Sequence, residues 1–124
     1  MKTVVDTSAL IAFLQRKELG NSVADLLESG QAVIPAVCVF ELLACVKSSV
    51  HRHQRRRLLS LAEIIPMDRD IAEAAADLFT TLRLKGKTID NEDLMAAATA
   101  LHLNLPILTT NKVHFNYIPE LTVI

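Results

Sequence analysis

The chain has 124 residues, 51% of them hydrophobic, and a formal net charge of −1. That length fits one domain with a proper core, and the near-neutral charge excludes a strong global field for nucleic acid without excluding an RNA or protein partner. Mean hydropathy is +0.31 and aromatics are scarce, so the core is expected to be built from Leu, Ile, Val and Ala.

The longest apolar stretch, Ala32 to Val46, is broken by Pro35 and Glu41. It falls short of the ~20 residues that a spanning helix needs. The first apolar run starts almost at Met1 and meets Asp6, unlike an export signal. These features predict one α/β domain over residues 1–124, cytoplasmic and without a membrane association. Cys38 and Cys45 lie seven positions apart. On one helix that is about 10 Å, beyond disulfide reach, so they read as small buried residues in a reducing compartment.

In chain order, Lys2 to Val5 reads as a short buried strand stopped by Asp6. Thr7 and Ser8 follow, and Ser8 to Gln15 predicts a short helix with Leu10, Ile11 and Leu14 inward. An acid just past the carboxyl end of a strand suits a site in an open α/β sheet. It also suits a helix N-cap, and this stretch alone favours the cap. Ser22-Val23-Ala24-Asp25 matches a capping box for the next helix, which Gly30 would end. Ala32 to Pro35 predicts a second buried strand.

Ala36 to Val46 predicts a helix apolar on every face and therefore buried. Glu41 lies in the middle of the Cys38, Leu42, Cys45 face. A buried carboxylate needs a basic partner, a proton or a metal. Lys47 to Arg57 is the basic segment, with Arg52, Arg55, Arg56 and Arg57 as candidates for RNA contact. No aromatic interleaves it, so base stacking is not suggested there. A helix continues from Leu58 to Glu63. Ile64 to Pro66 predicts a third strand. Arg69 to Leu84 is the clearest amphipathic helix, with a stripe of Ile71, Ala75, Leu78, Phe79 and Leu82.

Asp90 is the natural N-cap of a helix from Asp93 to His102, which makes Asp93 its N3 residue. Leu105 to Leu108 predicts a fourth strand ended by Thr109-Thr110-Asn111, repeating the form of the first motif. His114-Phe115 fall in a short turn or helix, and Leu121 to Ile124 predicts a last strand. This alternation implies a mainly parallel sheet of about five short strands with helices on both faces. Right-handed crossovers would place Asp6 and Asn111 at one rim, with Glu41 and Asp93 near it. Three carboxylates with an amide and hydroxyls form an all-oxygen set, which suits Mg²⁺ or Mn²⁺.

The motifs Val4-Val5-Asp6-Thr7-Ser8-Ala9-Leu10, Glu41, Asp93-Leu94-Met95-Ala96-Ala97-Ala98, Leu108-Thr109-Thr110-Asn111 and His114-Phe115 occur in an order that resembles the PIN-domain family. Within it they resemble the toxin ribonucleases of VapC type. The resemblance covers essentially the whole chain. It implies a single PIN-like domain acting as a Mg²⁺- or Mn²⁺-dependent endoribonuclease that hydrolyses RNA phosphodiesters by metal-activated water. It further implies a homodimer and a small antitoxin partner. Asp6, Glu41 and Asp93 would be the metal ligands, and Asn111 a further catalytic group standing where many relatives carry a fourth acid. Thr7, Ser8 and Thr109 would orient those ligands or the phosphate.

Two other readings stay open on the residues alone. A phosphoryl-transfer or receiver domain could use Asp6, although no paired acid follows the first strand. A non-catalytic PIN-like module that binds RNA or a partner chain is suggested by the neutral Asn111.

Overall fold

A buried triplet, Thr3–Val5, forms β1, one of the two inner strands of a four-stranded parallel sheet of order β3-β2-β1-β4. The structure is a computed structural model and describes residues 1–44 and 46–124. The expectation for Cys45 therefore lies outside the described residues. Cys38 is a buried free thiol.

From β1 the chain passes through α1 (Thr7–Leu14) and α2 (Gly20–Glu28) to β2 (Ala32–Pro35). Then come α3 (Ala36–Leu43), α4 (Ser49–Leu59) and β3 (Glu63–Ile65). The long helix α5 (Arg69–Leu84) and α6 (Asn91–Leu103) lead to β4 (Ile107–Leu108) and the short α7 (Lys112–Phe115). The first two crossovers build the sheet outward to β3, and the third returns to pair β4 with the other side of β1. The strand order thus reverses at β1, and open α/β sheets form their sites at such a point. Val4, Val5, Val33, Ile34 and Ile107, each almost wholly buried, form the middle of the core. The run of buried alanines in α6, from Ala96 to Ala98 and again at Ala100, leaves little side-chain bulk between that helix and its neighbours.

Four strands stand where about five were expected. The Leu121 to Ile124 segment is reduced to an isolated bridge between Val123 and Ile107. It is still held there, because the Ile107 N–H donates to Thr122 O and the Ile124 N–H to Ile107 O, each at 2.9 Å. Helix α3 is apolar apart from Glu41, but it is not buried all round. It ends at Leu43, and Phe40 is 65% exposed. Phe79, assigned to the buried stripe of α5, is also exposed. Hydrophobic periodicity identifies an apolar face without showing whether anything packs on it.

The expected Ser22 capping box does not form. Helix α2 starts at Gly20 with no side-chain cap bond. Its start is set by packing, since a Cβ on Gly20 would lie 2.8 Å from the Phe13 Cα. Gly30, with φ of +71°, ends α2 as foreseen. The Gln31 N–H donates to Leu26 O (2.8 Å) and the Gly30 N–H to Leu27 O (3.3 Å). That is a Schellman ending, which requires the left-handed residue.

Candidate active site

The register Val5↔Leu108 puts Asp6 and Thr109 side by side just beyond the paired strands β1 and β4. Thr109 Oγ1 donates to Asp6 Oδ2 at 2.6 Å. Ser8 Oγ and the Ala9 N–H donate to Asp6 Oδ1 at 2.7 and 3.0 Å. Asp6 is thus the N-cap of α1, as the sequence suggested, and is also only 3% exposed. Ser8 Oγ and Thr109 Oγ1 stand 3.1 Å apart. The loop closes on the same hydroxyls, with the Thr110 N–H donating to Ser8 Oγ (3.0 Å) and the Asn111 N–H to Thr109 Oγ1 (2.9 Å).

Helix α3 starts directly after β2, and this brings Glu41 to the same rim. Thr7 Oγ1 donates to Glu41 Oε1 at 2.8 Å, linking the first turn of α1 to α3. Glu41 is half-buried. A basic partner, one of the three options for this carboxylate, is not present among the described residues, where the ion pairs are Lys2–Glu63 (2.8 Å) and Arg69–Glu73 (3.2 Å). Asp93 lies in the first turn of α6, behind an N-cap residue, Asp90, whose side chain makes no cap hydrogen bond. That bond was expected, but the Asp90 side chain is exposed and adds its charge to the acidic group instead.

The electrostatics show that these acids share one field. Burial holds the Asp6 carboxyl above its usual range against the lowering effect of the Thr109, Ser8 and Ala9 hydrogen bonds. Burial also raises Glu41. The Thr7 hydroxyl opposes the rise, while the charges of Glu92, Asp6 and Asp90 add to it. Asp93 is pushed up to about 6, first by burial and then by Asp6, Glu41 and Asp90, with His114 opposing. Carboxylates that lack a cation and repel one another pay for that arrangement in stability, and a bound cation would remove the cost. Burial drives the Cys38 thiol up to about 12, so it is neither a thiolate ligand nor a nucleophile at neutral pH.

Asp6, Glu41, Asp93, Thr7, Ser8 and Thr109 therefore gather at one rim. Asn111 is the exposed N-cap position of α7, with no side-chain cap bond. The arginine run makes no hydrogen bond to these side chains among the described residues. Arg55 shares a groove with Leu14 and Gln15, at the far end of α1 from Asp6. Arg55 Nη1 donates to Leu42 O (2.6 Å) and Arg52 Nη1 to Leu43 O (2.9 Å). Both arginines thus cap the carboxyl end of α3, while Arg56 and Arg57 are exposed. Sequence reasoning gave no role to His114. Its signal was its place one helical turn after Asn111, on the segment that leaves the site.

Among the described residues, no three His, Cys, Asp or Glu side chains already stand in a ligating cluster. The donor set nevertheless fits a hard cation. All its donors are oxygens, Asp93 has no hydrogen-bond partner among the described residues, and Asp6 Oδ2 and Glu41 keep free lone pairs.

Residues 3–121 match the family model of the PIN domain. The chain belongs to the PIN-domain family. Among PIN-domain relatives, it is 32% identical to Ribonuclease VapC of Rickettsia bellii, over the whole chain and 96% of that protein. It is 29% identical to Ribonuclease VapC1 of Methanocaldococcus jannaschii, over 96% of this chain and 82% of that one. The toxin–antitoxin complex VapBC2 from Rickettsia felis, solved bound to a promoter DNA fragment, contains a similar chain. The match has a TM-score of 0.82 at 26% identity and covers 100% of this chain and 98% of that one. VapBC-1 from nontypeable Haemophilus influenzae shares the fold, with a TM-score of 0.83 at 23% identity, over 100% and 97%.

Proposed function

We propose that this chain is a divalent-metal-dependent endoribonuclease and the toxin member of a toxin–antitoxin pair. The observation that carries the chemistry is the gathering of Asp6, Glu41 and Asp93, from three distant parts of the chain, into one field with no ion-paired Lys or Arg among the described residues. The relatives named Ribonuclease VapC support RNA as substrate. The VapBC complexes support an antitoxin partner.

Asp6, Glu41 and Asp93 would hold Mg²⁺ or Mn²⁺. When bound, the ion supplies positive charge at the scissile phosphate and makes water a stronger nucleophile. The chain's own residues position these groups. Thr109, Ser8 and the Ala9 N–H fix the Asp6 carboxylate, and Thr7 fixes Glu41. The neutral Asn111 amide can orient water or a phosphate oxygen without adding charge. Homodimerisation would cover exposed apolar side chains such as Phe40 and Phe79.

The test is cleavage of a mixed structured RNA pool in EDTA, Mg²⁺ and Mn²⁺, beside Asp6→Asn and Asp93→Asn proteins shown to be folded. Cleavage should need metal and be lost in both variants. A folded Asp6→Asn protein that cleaves at the wild-type rate would falsify the mechanism. The neutral Asn111 also supports a second reading, a module that binds RNA without cutting it. That reading requires binding with no turnover in either metal.

A further inference from the structure

The reading above leaves a physical difficulty. A metal held by the acids would serve only the scissile phosphate, so the neighbouring phosphates of an RNA strand need cationic side chains beside the rim. The arginine run of α4 is poorly placed for this, because Arg52 and Arg55 are engaged with the end of α3 and the groove by Arg55 borders the far end of α1.

A second cationic surface begins beside Asp93. The loop from Lys85 to Asp90 joins α5 to the start of α6, one turn before Asp93. In that loop Lys87 places its Nζ 4.9 Å from the centre of the Tyr117 ring. Tyr117 is the only tyrosine in the chain. It pairs with His114, with ring centres 6.1 Å apart and planes tilted by 42°. His114 in turn lies near Asp93, on the short helix that follows Asn111. Lys87, Tyr117 and His114 thus form one chain of contacts, with Asp93 near its inner end. Lys87 and His114 are exposed, and Tyr117 is half-buried and held by the core. A fixed aromatic ring beside an exposed ammonium group is what a single strand needs, since a phosphate meets the charge and a base can stack.

The geometry points to Lys87, Tyr117 and His114 as the surface over which a single-stranded RNA substrate leaves the acidic rim, with Lys87 meeting a phosphate beyond the cleaved bond. This rests on the nuclease reading and adds the path of its substrate. An acidic protein segment is the competing occupant.

The experiment uses the full chain carrying Asp6→Asn, so that RNA stays intact, and a fluorescent mixed-sequence single-stranded RNA. Binding is measured across a salt series, with Lys87→Gln, Tyr117→Leu and Arg56→Gln/Arg57→Gln added in turn. Steady-state cleavage is measured with the same substitutions in the otherwise wild-type chain. Losing one phosphate contact should flatten the slope of log affinity against log salt by about 0.7, or about fivefold in affinity at 0.1 M salt. Lys87→Gln should show this and raise KM with kcat retained. Tyr117→Leu should weaken binding without changing the slope, as loss of stacking does. Wild-type slope and KM in Lys87→Gln would overturn the path while leaving a metal-dependent nuclease intact. So would a larger loss of slope in the arginine double variant than in Lys87→Gln, or competition by polyglutamate as strong as by RNA of equal charge. A wild-type chain that neither binds nor cuts RNA in Mg²⁺ or Mn²⁺ would overturn the nuclease reading and this path together.

Discussion

Thr109 Oγ1 donates to Asp6 Oδ2 at 2.6 Å, between residues 103 positions apart in the chain. The bond exists because β4 pairs with β1 and sets the two residues level. Both are buried, so the hydroxyl replaces water for one carboxylate oxygen. Thr109→Val keeps the shape and removes the donor. We expect a loss of about 2 kcal/mol in chemical denaturation, typical of a buried hydrogen bond to a charged group. Metal-dependent cleavage should fall as well, because Asp6 loses one of the bonds that orient it. A Thr109→Val protein with wild-type stability and activity would show that the Ser8 and Ala9 bonds suffice.

The raised acids give the metal-free protein an unusual pH dependence. Asp93 titrates at about 6 in the folded chain against 3.8 for an ordinary aspartate. Between those values the folded state binds more protons than the unfolded state, so this group's stabilising effect is full below the lower value and is lost as pH rises through the upper one. Asp6 and Glu41 are shifted in the same direction. In EDTA, Tm should therefore fall as pH rises from about 4 to about 7, and Asp93→Asn should flatten that fall. Adding Mg²⁺ or Mn²⁺ should raise Tm most at the upper end, where no proton competes for the carboxylates. A metal-induced Tm shift that is equal at both ends, or absent, would count against Asp93 as a ligand.

Much of this site was legible because its residues end elements with strong signals. Val4-Val5 before Asp6, and Ile107-Leu108 before Thr109, mark two strand ends and so two points on one rim. Glu41 stood out as an acid on an otherwise apolar helix, and Asp93 as the N3 acid of an Ala- and Leu-rich one. The rest depends on contacts that no pattern in one chain reports. Arg52 and Arg55 look like part of a solvated basic run until α4 folds back onto the end of α3. Phe40 and Phe79 are apolar in a helical pattern, yet both are exposed, and what lies over the Phe79 ring is the Arg83 guanidinium, 5.7 Å from its centre. Lys87 and Tyr117 are 30 residues apart and meet only because β4 returns the chain to the rim that α6 leaves.

The arginine caps make their own prediction. The last carbonyls of a helix lack partners within the helix, and here guanidinium groups supply them at Leu42 and Leu43, next to Glu41. Arg55→Ala should cost about 1 kcal/mol, below the usual value for a charged hydrogen bond because the site is partly exposed. It should also lower kcat by loosening the helix that carries Glu41, without changing the salt dependence of RNA binding. Arg55→Lys should recover little, since an ammonium lacks the planar fork. A flattened salt slope in Arg55→Ala with stability unchanged would assign this arginine to RNA.

Gly20 sets how closely α2 approaches α1. A Cβ there would meet the Phe13 Cα at 2.8 Å and the Ala12 carbonyl oxygen at 3.2 Å. Its φ is not positive, so the constraint is contact rather than backbone conformation. Gly20→Ala gains up to about 1 kcal/mol in helix propensity. Overpacking costs typically about 1–3 kcal/mol, and here the obstructing atoms are backbone, which cannot turn aside as a side chain would. The net effect should be a loss of stability and a Tm lower by roughly 5 °C for a domain of this size. Phe13→Ala in the same chain should give no rescue, because it is the Phe13 main chain that obstructs. Recovery in that double variant would show that the close approach is set by the Phe13 ring and not by the helix backbones.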